Sequence, residues 1–361
     1  VEYSVPSWRH DIAIEEDLVE EVARHVGYEN IGEELPPAYG AGEYQRTEHR
    51  ESAIRRLLAD QGFDEALNYS FIDTKHDEVF QLVPGLVDES LEVKFVELRD
   101  SVIEGAVRMR PTLLPGLLDS VRLNFNFQNK NLQLFELGKV FAAEPGKDGL
   151  PKERELFAIA MTGHAMYGDR VMPGRELDFY DAKGAVESAL NAAGYSKIEF
   201  SNKDAIHLQK GQSASVVVNE KNVGLIGRLI AEIAANYKFR QPVYVAEIDL
   251  QEILSSEPEP IRYAALPKYP SIIRDVSFAV AGDFAFDSIR DYAANQKLEL
   301  CRAVNFVDLF EGGEMADDAR SLTVRFTYRS DERTLTEEEI GPIHDDLIQN
   351  LERELKISHR I

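Results

Sequence analysis

Residues Arg108 to Phe141 read RMRPTLLPGLLDSVRLNFNFQNKNLQLFELGKVF, a turn, a helix and a strand in one continuous run. Pro115-Gly116 inside an apolar stretch predicts a turn, because proline presets φ and glycine tolerates conformations closed to other residues. Leu117, Leu118 and Val121 then repeat at helical spacing and predict a core-facing helix. From Leu132 to Phe141 the period changes to two. Leu132, Leu134 and Glu136 fall on one side, and Phe135, Leu137 and Lys139 on the other. Glu136 is an acid in an apolar setting, but no paired base or phosphate cradle accompanies it, so an active-site role is not supported.

Working outward, Thr47 predicts the cap of a helix whose apolar positions are Ile54, Leu57 and Leu58. That helix ends at Gly62, where positive φ is wanted, and a strand is expected over Ala66–Ile72. Phe179 to Gly184 with Val186 and Leu190 predicts a capped helix. Gly224 and Gly227 read as the brackets of a strand-to-helix turn, and Val243–Leu250 as another strand. Leu35-Pro36-Pro37 with Gly40 and Gly42, and the acidic Ser- and Pro-containing stretch at 255–260, read as breaks between units.

Beyond the second break, Arg274-Asp275 reads as an internal ion pair at the entrance of a strand over Val276–Ala281. A helix is expected near 286–296, strands at 300–310 and 321–330, and a helix introduced by Thr334-Leu335-Thr336-Glu337-Glu338-Glu339, a capping-box pattern. A short strand after Leu355 completes the order βαββαβ, the ferredoxin-like plan. The expected fold is therefore α+β, in four segments. These are residues 1–36, a helical segment; 37–254, a domain of strands and helices; 255–266, a linker; and 267–361, the ferredoxin-like domain.

Composition bounds what such a chain does. Its 361 residues are 44% apolar and include 18 Phe and 14 Tyr, which excludes general disorder. No apolar run approaches the ~20 residues of a membrane helix. A single cysteine, Cys301, forms no internal disulfide, so the cytoplasm is the expected compartment and no membrane partner is expected. The chain opens on Val1 without Met, which reads as a portion of a longer protein. With 64 Asp and Glu against 40 Lys and Arg, the net charge of −24 opposes polyanions at long range. Any RNA contact must be local.

Two stretches carry candidate chemistry. In Arg9 to Ile31, RHDIAIEEDLVEEVARHVGYENI, Asp17, Glu20 and Glu21 share one helical face, Asp11 stands just upstream, and Leu18, Val22 and Val26 form the face expected to be buried. Hard oxygen ligands of this kind suit Mg²⁺. The competing reading is a solvated acidic face near a helix start, where carboxylates favour the macrodipole. The second stretch is 321–330. Leu322, Val324, Phe326 and Tyr328 face the core there, leaving Thr323, Arg325, Thr327 and Arg329 outside, with Arg333 in the turn that follows. Hydroxyls and arginines on an exposed sheet can meet RNA backbone and bases, or the arginines can pair with neighbouring acids. Residues 267–361 hold 12 Lys and Arg against 19 Asp and Glu, so this is no generic polyanion binder.

These motifs resemble the β-subunit family of bacterial-type phenylalanine–tRNA ligases, across essentially the whole chain and in order. Arg9 to Ile31 resembles the R-x-D-I, D-L-x-E-E-V-A-R and G-Y-x-x-I elements of its metal-bearing helical domain. Gly62 to Phe71 resembles G-F-x-E followed by N-Y-S-F, part of a dimerisation motif. Met109 to Leu118 is similar to L-R-T-S-L-L-P-G-L-L, Leu134 to Phe141 to L-F-E-I-G-x-V-F, and Phe179 to Glu187 to F-x-D-x-K-G-x-x-E. Tyr269 to Asp275 and Arg333 to Thr336 resemble marks of its anticodon-binding domain. There are departures. Gln128 and Asn129 stand where a basic residue is common, Lys210 to Ala214 loses the proline and arginine of P-G-R-S-A, and Phe310-Glu311-Gly312 lacks an aromatic between Phe and Glu.

The resemblance implies that 1–36 is the end of a helical domain and 37–254 a class II synthetase-like antiparallel sheet domain with helices and without an active site, followed by an anticodon-binding domain. It implies Mg²⁺ at Asp11, Asp17, Glu20 and Glu21, shared with an α subunit in an α2β2 assembly. It also implies tRNA(Phe) as a partner, and ATP used by the whole enzyme but not bound by this chain. Catalytic residues are expected to be none here, and an editing domain is expected upstream of Val1. Two other readings remain: a stand-alone RNA-binding scaffold built from a synthetase fold, and an acidic Mg²⁺-dependent hydrolase.

Overall fold

Alternating side chains build the larger sheet of the computed structural model, which describes residues 3–35, 37, 40, 42–88, 90–101, 103–145, 149–166, 168–258, 260–263, 265–296, 298–312 and 319–360. Pro36, part of one expected break, lies outside them. The chain divides into two units, residues 1–260 and 261–361, the boundary falling inside the expected linker.

The first unit runs α1 (Glu15–Val26), α2 (Glu48–Asp60), β1 (Asp64–Glu65), β2 (Phe71–Ile72), β3 (Arg108–Met109), α3 (Leu114–Asn126), β4 (Leu132–Pro145) and β5 (Pro151–Thr162). A hairpin of β6 (His164–Met166) and β7 (Arg175–Glu176) leads to α4 (Phe179–Ala192) and β8 (Ile198–Asn202). β9 (Leu208–Val218), β10 (Lys221–Leu229), α5 (Ala231–Asn236), β11 (Val243–Asp249) and α6 (Leu250–Ser255) complete it. Seven strands form one sheet in the order β1-β4-β5-β11-β10-β9-β8. Every neighbouring pair is antiparallel except β1 and β4.

The alternation along β4 holds. Phe135 and Leu137 join a core with Ile54 and Leu58 of α2 and Val186 and Leu190 of α4. Leu132 and Leu134 join a second core with Leu114, Leu117, Leu118 and Val121 of α3. The sheet is thus covered on both faces. Asp178 caps α4 through the Tyr180 and Asp181 N–H groups. The turn expected at Pro115-Gly116 is instead the first turn of α3, where proline lacks only an N–H that would have no helical partner.

Three further expectations are corrected. Ala66–Ile72 is not one strand, because the Asn68 side chain turns to Glu136 and Ser120 and the chain leaves β4. Gly224 and Gly227 lie inside β10, where a Cβ at 224 would collide with the Glu247 carbonyl; these glycines mark close strand approach, not a turn. The face of α1 carrying Leu18, Val22 and Val26 is not buried: no α1 residue is, and Val22 and Val26 are more than half exposed.

The second unit runs β12 (Ile272–Ala281), α7 (Phe286–Asn295), β13 (Cys301–Glu311), β14 (Ala319–Tyr328), α8 (Glu337–Leu355) and β15 (Ser358–Arg360). Its sheet order is β13-β14-β12-β15. This is the expected βαββαβ plan. Phe278, Leu322, Val324, Phe326 and Tyr328 pack with Ile289 of α7 and Ile340, Leu347 and Leu351 of α8. Both helices therefore cover the same face. The Glu339 carboxylate accepts the Thr336 N–H at the start of α8. Arg274 and Asp275 do not pair with each other, because adjacent strand residues point to opposite faces; Arg274 pairs with Glu337 and Asp275 with Arg325.

In the first unit, one arginine ties distant segments together. Arg50 on α2 donates to the carbonyls of Ala193, Ile253, Leu254 and Ser256 and to the Tyr195 hydroxyl, at 2.9 to 3.1 Å. It supplies donors to carbonyls at the ends of α4 and α6 that have no helical partner. Arg50→Ala is expected to lower stability by about 3 kcal/mol, since several charge-assisted bonds are lost together. Arg50→Lys should recover less than half of that, because an ammonium cannot reproduce the planar fork. Urea unfolding of the three proteins checks both values.

Candidate nucleic-acid interface and buried polar cluster

The uncovered face of the four-stranded sheet is built by the period of its strands. Opposite the core residues of β14 stand Thr323, Arg325 and Thr327, with Arg329 just beyond the strand. Strand register sets Asn305 and Asp275 on either side of Arg325, Asp308 and Ser277 beside Thr323, and Ala303 and Ile273 beside Thr327. Phe310, opposite Ser321, is 55% exposed and adds an aromatic ring to this face, with Ile273 as a second exposed apolar group. Composition alone did not single out either. The available signal was an aromatic residue at an outward position of an edge strand.

The arginines here are paired. Arg325 gives two 2.7 Å bonds to Asp275, Nε to one oxygen and Nη2 to the other. That bond holds the Asp275 carboxyl below the ordinary range. Arg333 bonds Glu339 at 2.7 Å, and Asp331 meets both Arg302 at 2.7 Å and Arg329 at 3.6 Å. Thr323 shares a 2.8 Å hydroxyl bond with Ser277. Thr323, Thr327, Arg325 and Arg329 are thus brought onto one surface, while Arg333 sits apart beside α8.

A second constellation lies inside the first unit. On β5, Ala158 is flanked by Glu136 of β4 and Glu247 of β11, so both carboxylates rise from the same sheet face. The segment leading into α3 closes over them. Arg110 binds Glu136 at 2.6 Å and the Lys139 carbonyl at 2.9 Å. Asn68 donates to the other Glu136 oxygen at 2.7 Å. Glu247 Oε1 accepts the Thr112 hydroxyl at 2.8 Å and the Leu113 N–H at 2.7 Å. Its Oε2 is buried without a partner among the described residues. A Cβ at Gly138 would collide with Arg110, so glycine there lets the guanidinium reach Glu136. Arg110, Thr112, Glu136 and Glu247 are all buried, and their polar groups face one another. Glu247 escaped the sequence reading, although an acid in the apolar strand VYVAEID is itself a signal.

The acidic N-terminal helix forms no cage. Arg9 bridges Asp11 and Glu21, at 2.6 and 2.5 Å, and Arg24 also pairs with Glu21. Asp17 turns back to accept the Ala13 and Ile14 N–H groups, at 2.7 and 2.9 Å. Glu20 is exposed. Among the described residues, no three His, Cys, Asp or Glu side chains of this chain alone are grouped as a metal cage. No described helix is long and apolar enough to cross a membrane.

Comparison with known proteins covers the chain in three consecutive matches. A family model described as the phenylalanyl tRNA synthetase beta chain CLM domain matches residues 31–250. One described as a ferredoxin-fold anticodon binding domain matches 267–360, and one described as a tRNA synthetase B5 domain matches 1–28. The phenylalanine–tRNA ligase beta subunit of Bacillus licheniformis is 34% identical over 355 residues, 97% of this chain and 42% of that protein. That of Syntrophus aciditrophicus is 33% identical over 353 residues, 96% of this chain and 43% of that protein. That of Bacillus subtilis is 32% identical over 353 residues, with 97% and 42% covered. The chain therefore spans a little over two fifths of these relatives.

Burial perturbs two groups of the first unit in opposite senses. It raises Glu247 to about 7 and lowers His207, whose Nδ1 accepts the Gln81 N–H, to about 4. Folded Glu247 keeps its proton, so its contribution to stability is full below pH ~4.5 and is lost as pH rises through 7. Folded His207 refuses a proton, so its contribution is full above pH ~6.5 and is lost as pH falls toward 4. The two slopes oppose each other over pH ~4.5 to 6.5. Glu247→Gln removes the falling one. The stability of this variant relative to the parent should therefore rise by about 3 kcal/mol between pH 4.5 and 7. Denaturant titrations of both proteins across that range measure it.

Proposed function

Because this chain belongs to the phenylalanyl tRNA synthetase beta-chain family, we propose that it is the C-terminal part of a subunit that supports ATP-dependent charging of tRNA(Phe) without doing the chemistry. The observation that carries the RNA side of this reading is the open sheet face of the second unit. Both α7 and α8 pack on the other side, leaving hydroxyls, an aromatic ring and paired arginines outward. Thr323, Arg325, Thr327 and Arg329 belong to this face, while Arg333 is held beside α8 by Glu339. Such a mixture suits unstacked bases better than a duplex backbone, which calls for unpaired cations.

The catalytic silence of the chain is supported by the buried cluster. ATP needs cations and N–H donors open to its phosphates. Here Arg110 is enclosed with Glu136, and Glu247 binds the lead into α3, so the sheet face is filled by the protein itself. ATP is then a substrate of the whole enzyme, handled by the α subunit. The edge beside β1 suits docking of that subunit. Leu67 and Tyr69 are 86% and 72% exposed there, in the segment that resembles a dimerisation motif. An α2β2 assembly in the cytoplasm fits this arrangement.

Asp11, Asp17, Glu20 and Glu21 lie in and just before α1, in the segment that matches the B5 domain, and would supply this chain's share of a Mg²⁺ site completed by an α subunit. Arg9 ties the turn that precedes α1 to the helix through Asp11 and Glu21, and Asp17 accepts the Ala13 and Ile14 N–H groups at the helix start. The serial order of the three family matches favours a ligase subunit over a stand-alone scaffold or a hydrolase.

Co-expression with an α subunit and an aminoacylation assay tests the central claim. The chain alone should show no phenylalanine-dependent pyrophosphate exchange; exchange in the absence of any α subunit would end the assignment. Leu67→Asp with Tyr69→Ala should shift the α–β assembly toward free subunits in analytical ultracentrifugation while leaving thermal unfolding of the chain within a few degrees of the parent. Phe310→Ala in the assembled enzyme should weaken tRNA(Phe) binding by roughly ten-fold, the loss expected for one stacked base, as read by filter binding.

A further inference from the structure

On the uncovered sheet face, Arg325 and Asp275 cancel one another's charge. Arg325 is held to Asp275 by two bonds of 2.7 Å, in the parallel fork geometry by which arginine grips a carboxylate. Both side chains remain partly open to solvent, at 43% and 38% of their full exposure. Around them the sheet offers hydrogen-bonding groups, Asn305 beside Arg325, Thr323 and Thr327 two residues along the strand, and Ser277 bonded to Thr323, with Asp308 as a further acid beside Thr323.

We propose that Asp275 is a specificity-determining residue of this surface: by closing Arg325 into a neutral, planar pair, it turns a phosphate clamp into a platform for an unstacked base. This rests on the reading that the sheet faces RNA.

A free arginine binds any RNA, since every nucleotide carries a phosphate, and such binding releases counterions and weakens with salt. Paired to Asp275, the same guanidinium has Nε and Nη2 committed and a carboxylate beside it. An incoming phosphate meets like charge at close range. A base does not, because a guanidinium plane stacks on it without needing net charge. Rejection of the wrong partner by a placed charge is how an interface achieves discrimination without added attraction. Phe310 extends the same logic. It stands opposite Ser321, which lies along β14 from Arg325 by roughly 14 Å, a span suited to separate nucleotides of an extended single strand.

The test uses the assembled α–β enzyme with a tRNA(Phe) transcript, an unrelated tRNA transcript and oligo(U), each titrated at several salt concentrations. Asp275→Asn should raise affinity for the unrelated tRNA and for oligo(U) on the order of ten-fold, and steepen their slope of log affinity against log salt by about 0.7, the increment for one more neutralised phosphate. Affinity for tRNA(Phe) should change much less, so discrimination falls. Asp275→Ser carries the same expectation should the asparagine variant fold poorly. Arg325→Gln should weaken tRNA(Phe) binding with no change in slope, and the double variant should return unrelated RNA to the parent level, which a merely structural Asp275 would not do. Unchanged binding of unrelated RNA by both Asp275 variants, or an equal loss for all RNAs, overturns the proposal. If Phe310→Ala and Arg325→Gln both leave tRNA(Phe) binding untouched, the sheet is not the RNA face, and the proposal falls with that reading.

Discussion

Arg110 is the side chain on which the larger unit depends. Its guanidinium is buried against Glu136 and supported by the Lys139 carbonyl, and it belongs to the segment whose next residues bind Glu247. A buried ion pair contributes little net stability when intact, because desolvation offsets the attraction, yet losing one partner costs about 3 to 5 kcal/mol. Such a pair fixes geometry more than it adds strength. Here it fixes how the lead into α3 crosses the sheet, and hence which sheet face α3 covers. A surface that could have been a cleft becomes interior.

The same chemistry has the opposite outcome in the smaller unit. Acids and arginines again stand next to each other, but on a sheet face that no helix covers. With a net charge of −24, long-range attraction of RNA to this chain is absent, and recognition is left to short-range complementarity. Stacking and hydroxyl bonds act over a few ångströms and are insensitive to the overall field.

Much of the fold was legible because burial imposes a period on the sequence. β14 alternates so regularly that its core and outer residues could be separated by counting, and the plan βαββαβ followed from element order. What failed were signals with two physical causes. Glycine marks both turns and close strand approach, and Gly224 and Gly227 belong to the second kind because β11 lies against Gly224 and β9 against Gly227. Arg274 and Asp275 are neighbours in sequence but lie on opposite sides of β12. The apolar stripe of α1 is real, yet periodicity says nothing about what, if anything, lies against it. For the candidate site, the outward arginines were found from sequence, whereas their acid partners were not, because Asp275 and Arg325 are brought together only by strand register. Glu247 was missed because a single acid within an apolar strand gives no hint of what faces it.

The Arg50 clasp has a consequence in time. Its acceptors lie 143 to 206 residues further along the chain, so none of them exists when α2 leaves the ribosome. At about 5 to 20 residues per second, synthesis of the missing stretch takes roughly 10 to 40 s. Until then the Arg50 guanidinium lacks part of its set of acceptors. Closure of the clasp is therefore a late event of biogenesis, and the larger unit cannot complete its fold before its last helix has been made.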